Sequence, residues 1–131
     1  MQNYARKIEA KSTAENLIFY PQIQQAFAYL VAANDEFTEE LIRICEIPAP
    51  PFKEAGRAAY IKQRFEELGL TQVRLDLEGN VIAERRGKSE NPNLIVSAHL
   101  DTVFPEGTDV RVKRDGRKFL APGDPDCWRP G

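Results

Sequence analysis

Residues 94–98, Leu-Ile-Val-Ser-Ala, are a short apolar and small-residue run that stops at His99, the only histidine in the chain. A continuous run of this kind predicts a strand covered on both faces, as in a sheet flanked by helices. Open α/β sheets place their chemistry at the carboxyl ends of strands. His99 stands at that end, and a carboxylate, Asp101, follows two residues later. Imidazole binds zinc through a neutral ring nitrogen. A neighbouring carboxylate orients such a ring and fixes its tautomer. The same two residues also suit a plainer role, a hydrogen-bonded histidine followed by a turn-forming aspartate. The spacing alone leaves both readings open.

The segments before this run alternate between helical and strand patterns. Residues 1–21 form a polar leader. Ile23, Phe27, Leu30 and Val31 fall at helical spacing over residues 22–33. Asp35 is the expected cap of a second helix, with Phe37, Leu41, Ile44 and Cys45 on its apolar face. Pro48 ends it. Pro48-Ala49-Pro50-Pro51 then predicts a rigid, extended connection, because each proline fixes its own φ and biases the residue before it away from helix. A third helix is expected over residues 53–68, burying Ala58, Ile61, Phe65 and Leu68, with Gly69 in the left-handed conformation just beyond it.

Strand patterns follow. Val73, Leu75 and Leu77 alternate with polar residues, and Gly79-Asn80 marks a turn before Val81-Ile82-Ala83. Residues 110–120 read as a hairpin turning at Asp115-Gly116. The whole is an α/β pattern, helices packed on a mixed sheet.

Composition narrows the function. At 131 residues, 42% hydrophobic and 29% charged, the chain matches a single globular domain. A net charge of −2 gives no electrostatic basis for binding nucleic acid or an anionic membrane surface. Arg111, Lys113, Arg114, Arg117 and Lys118 are expected to be a solvated face balanced by Asp109 and Asp115. No run approaches the ~20 apolar residues of a membrane helix, and residues 17–20 are too short for the core of a signal peptide. Two distant cysteines, Cys45 and Cys127, form neither a disulfide framework nor a zinc-finger spacing. Cys45 is expected in the core. The expected location is the cytoplasm.

Four stretches taken in order resemble the zinc-dependent exopeptidase family that includes peptidase T (tripeptide aminopeptidase), glutamate carboxypeptidase and aminoacylase. They are Glu46-Ile47-Pro48-Ala49-Pro50-Pro51-Phe52-Lys53-Glu54 with Arg57-Ala58, Leu68-Gly69-Leu70, Gly79-Asn80-Val81-Ile82-Ala83, and Ser97-Ala98-His99-Leu100-Asp101-Thr102-Val103-Phe104-Pro105. Glu54 and Arg57 are expected at the surface or anchoring loops. The resemblance implies that His99 binds one zinc of a two-zinc site and that Asp101 is the catalytic acidic residue supporting it. It implies a bridging aspartate after Ala121-Pro122-Gly123. Asp126 fits that place best and Asp124 is the alternative. Two zincs would polarise the scissile carbonyl and activate a bridging water, with a glutamate as general base. The implied substrate is a small peptide or related amide.

The family pattern continues into a general-base glutamate, further acidic ligands and a distant histidine. This chain has no glutamate after Glu106 and ends at Gly131. Residues 22–126 therefore read as the N-terminal part of a catalytic domain, with a second zinc site that the chain does not complete. Residues 127–131 read as an aberrant or truncated tail. A one-base shift after Cys127 turns Trp128-Arg129-Pro130-Gly131 into a family-like Gly-Gly-Leu-Ala for suitable codons. The expected isolated chain is inactive, with self-association through an exposed sheet edge. The alternative reading is a non-catalytic binding or regulatory module built on the same fold.

Overall fold

The computed structural model describes residues 15–88, 94–116 and 118–120. They fall into two compact units divided between Glu40 and Leu41.

The first unit contains helix α1 (Pro21–Ala32) and the start of α2 (Asn34–Cys45). Pro21 opens α1, where its missing N–H costs nothing and its fixed φ already suits a helix. The Ala33 amide closes α1 by donating to the Tyr29 carbonyl at 2.9 Å. Asp35 is not the cap of α2. It lies within the first turn beside Glu36, where both carboxylates face the positive end of the helix dipole. Tyr29 and Phe37 meet edge to face, with centroids 6.3 Å apart.

Of the expected apolar stripe of α1, Ile23 is half-buried and the rest stays in water. Phe27, Leu30 and Val31 are exposed, and no residue of α1 is buried. An amphipathic stripe is buried only when another layer lies against it, and the described residues of this unit supply none.

The second unit runs from the end of α2 through helix α3 (Ala55–Glu67) and two antiparallel ribbons. In α2 the buried residue is Ile42, whereas Phe37, Leu41 and Cys45 of the expected face are exposed. Cys45 is therefore not a core residue. In α3, Ala58 is buried, Ile61 and Phe65 are half-buried, and Leu68 is exposed. The helix ends as the sequence predicts. Gly69 takes φ +72°, its amide donates to the Glu66 carbonyl, and the Leu70 amide donates to that of Phe65, each at 3.0 Å. These are the paired bonds of a Schellman motif, which satisfy carbonyls the helix leaves open.

Strands β1 (Thr71–Leu75) and β2 (Val81–Glu84) pair antiparallel, and α3 packs against both. Asp76 organises their turn. Its carboxylate accepts from the amides of Glu78 (3.0 Å) and Asn80 (2.9 Å) and from the Asn80 side chain (2.8 Å). A bulge between Thr71 and Arg74 places Gln72 at φ +53° and twists the ribbon. Val73 is half-buried, but Leu75 and Leu77 are exposed, so the alternation does not extend to a second covered face. Strands β3 (Lys113–Asp115) and β4 (Lys118–Leu120) form the expected hairpin, with Gly116 at φ +58°. Arg114 lies 5.8 Å from the Phe119 ring centroid, a cation–π distance.

The α/β class is as expected. The mixed sheet is not, since both ladders among the described residues are two-stranded and antiparallel. The run at 94–98 also departs from expectation. It carries no strand ladder, and Leu94, Ile95 and Val96 are 88%, 88% and 85% exposed. A strand exists through the backbone of a neighbour, and no described segment pairs with this one.

Candidate functional site

His99 and Asp101 come together. The His99 Nδ1 lies 3.0 Å from Asp101 Oδ1, and the side chains are 82% and 44% exposed. With a neutral ring, that contact is an Nδ1–H donated to the carboxylate. That tautomer leaves the lone pair on Nε2.

The loop carrying this pair is held from two sides. Ala49, only 1% exposed, accepts from the Thr102 amide at 2.8 Å and from the Thr102 hydroxyl at 3.3 Å. Arg57, on the first turn of α3, is 6% exposed. Its Nη1 donates to the Leu100 carbonyl at 2.7 Å and its Nη2 to the Ile47 carbonyl at 2.6 Å. Further out, Lys53 pairs with Glu106, and the Val112 amide donates to the Glu46 carboxylate at 2.9 Å. The first and fourth family-like stretches, separated by α3 and the first ribbon, are thus laced into one structure.

Burial pushes the Arg57 guanidinium below its ordinary pKa, and the nearby Cys45 and Asp101 act in the opposite sense. The group remains a cation, since arginine starts so far above neutrality. Its Nε is buried without a hydrogen-bond partner. Glu54 does anchor a loop. Its carboxylate accepts from the Phe52 amide at 2.7 Å and steadies a residue at φ +65°.

Arg57, expected at the surface or anchoring loops, is buried and anchors two loops. An arginine in the first turn of a helix ordinarily reads as solvated. Its value comes from two carbonyls contributed by remote loops. The signal available was its place beside Ala58, inside a stretch that already carried the family resemblance.

Asp126 and Asp124, the candidate bridging carboxylates, lie outside the described residues. Among the described residues no three His, Cys, Asp or Glu side chains gather closely enough to hold a metal ion. Among the described residues, His99 and Asp101 are an imidazole and a carboxylate in hydrogen-bond contact. No helix among the described residues is long and apolar enough to cross a membrane. The basic hairpin is exposed, and Asp109 takes Arg111 in a two-pronged pair, with Nε 2.8 Å and Nη2 2.6 Å from the carboxylate.

No protein-family model matches the chain. It is similar to three archaeal proteins, each provisionally named a LysW-lysine/LysW-ornithine hydrolase. The Pyrococcus furiosus protein is 38% identical over 81 residues, covering 62% of this chain and 24% of that protein. The Pyrococcus abyssi protein is 37% identical over 82 residues, 63% and 23% of the two chains. The Thermococcus kodakarensis protein is 34% identical over 81 residues, 62% and 22%. The matched region is about a quarter of the length of these curated relatives. The similarity supports a hydrolase kinship for this chain.

Proposed function

We propose that this chain carries part of the site of a zinc-dependent hydrolase of small amides, a peptide or an amino-acid conjugate. The hydrolase similarity supports the reaction class. The order of the four motifs favours the zinc exopeptidase kinship. The observation that carries the site assignment is the His99–Asp101 contact at 3.0 Å on a histidine side chain that is 82% exposed.

In this reading His99 supplies one ligand through Nε2, and Asp101 holds the ring in the tautomer that frees that nitrogen. Asp126, or alternatively Asp124, would bridge to a second zinc. Bound zinc supplies Lewis-acid polarisation of the amide carbonyl and a water acidic enough to attack near neutral pH. Catalytic zinc ordinarily takes three protein ligands, so the described residues give only a part of either metal's shell.

Zinc titration of the ¹⁵N-labelled chain tests the assignment directly, because one histidine gives one imidazole spectrum. The expected result is a saturable shift of the His99 nitrogens, with calorimetric binding lost in His99→Ala. Binding that persists unchanged in His99→Ala would overturn the assignment.

A further inference from the structure

We infer that Arg57 is a positioning residue for the His99–Asp101 pair, acting as a two-pronged clamp on the loop between them. The inference rests on the proposed role of that pair, but the clamp itself needs no metal.

Leu100 separates His99 from Asp101 in sequence, so its peptide groups set the directions from which both side chains leave the backbone. Arg57 holds the Leu100 carbonyl at 2.7 Å. The other prong holds the Ile47 carbonyl at 2.6 Å, immediately before the rigid proline segment. The planar guanidinium therefore fixes one loop relative to the other through two nitrogens of a single rigid group. Thr102 provides a second tie two residues further on, to Ala49 of the same proline segment. The pair itself is exposed at 82% and 44%, so no packed wall holds the ring in place. Its order has to come from the backbone beneath it, and Arg57, buried at 6% exposure, is the side chain that fastens that backbone to α3. A lysine keeps the charge but lacks the flat fork, so it cannot reproduce the two fixed bonds.

The histidine tautomer provides a readout that simple destabilisation does not move. Held against Asp101, His99 is expected to populate the Nδ1–H form. Released from the carboxylate, a neutral imidazole reverts toward the Nε2–H form that a free histidine side chain favours. Long-range ¹H–¹⁵N spectra of the full chain, at a pH where the ring is neutral, distinguish the two. The expected result is Nδ1–H dominance in the parent, lost in both Arg57→Met and Arg57→Lys. Gly69→Ala, which weakens the far end of α3 without touching either loop, is expected to retain it. Parent-like tautomer populations in both Arg57 variants would overturn the clamp, as would rescue by lysine. Should the variants fail to fold, the parent still decides the matter. The clamp requires resolved, slowly rotating Nη signals for Arg57 with through-bond couplings to the Leu100 and Ile47 carbonyl carbons; one averaged signal overturns it. Zinc titration of the parent separates the two ideas. Absent zinc binding with an Arg57-dependent tautomer sinks the zinc assignment alone, and zinc binding with an Arg57-independent tautomer sinks the clamp alone.

Discussion

Two neighbouring stretches on either side of His99 meet water in opposite ways. Leu94, Ile95 and Val96 are strongly apolar, yet they lie 85–88% exposed. Leu100, Asp101 and Thr102 are more polar as a group, yet all three are half-buried. The difference lies in what reaches them. Backbone groups of the second stretch are engaged by Arg57 and Ala49, whereas no described segment pairs with the first. Hydrophobicity supplies a non-directional drive to leave water, but it cannot bury a residue unless another surface is available. Hydrogen bonds between loops are directional, and here they engage the second stretch and not the first.

The largest expected effect comes from disturbing the laced side. Ala58 follows Arg57 and is almost completely buried. Enlarging it in Ala58→Leu forces methyl groups into filled space, which costs about 1–3 kcal/mol in a well-packed region. The urea midpoint of the chain should fall accordingly. A loss under ~0.5 kcal/mol, the range of ordinary surface changes, would show that this region is no better packed than the exposed run and would break the contrast.

The converse substitution sharpens it. Ile95→Ser on the exposed stretch removes a side chain that contributes little to the described fold. Stability should change by no more than about 0.5 kcal/mol. Self-association should nevertheless fall, because the change removes an apolar side chain from the exposed surface. Sedimentation velocity over a range of concentrations measures this. A large stability loss with unchanged association would place Ile95 in a core, against its observed exposure.

The same contrast explains what was legible in the sequence. Features specified within a few residues came through: the left-handed helix end at Gly69 and the Asp115-Gly116 hairpin. So did the meeting of His99 with Asp101, since their separation is short enough for a local contact. Features that need a distant partner did not. The run at 94–98 has strand-like composition, but composition does not supply the second strand. The sequence puts the α2 stripe on Phe37, Leu41, Ile44 and Cys45; Ile44 is half-buried and the other three are exposed, while the described surroundings bury Ile42. Arg57 reads as a surface or loop-anchoring residue, but its partners do not, since nothing local reveals that two remote carbonyls await it.

The smallest expected effect concerns pH, and it separates charged surface pairs from the bonds that hold the site. The side chain of Arg111, followed by its backbone amide, donates to Asp109 and pulls that carboxyl down to about 2. A depressed carboxyl pKa stabilises the fold above the unfolded value of about 3.9. That contribution is lost as pH falls through 3.9 toward 2. Asp109 is solvent-exposed, so screening leaves the change in overall stability slight. The carboxyl ¹³C resonance of Asp109 should titrate near 2 in the parent and return toward the ordinary aspartate range in Arg111→Ala. The bonds from Arg57 and Thr102 end instead on the backbone carbonyls of Leu100, Ile47 and Ala49. Those acceptors do not titrate. Protection of the Thr102 amide from exchange, corrected for the intrinsic pH dependence of exchange, should therefore persist while Asp109 takes up its proton. Loss of Thr102 protection along the Asp109 titration curve would mean that surface charge, not the bonds to backbone carbonyls, holds the loop of His99 and Asp101.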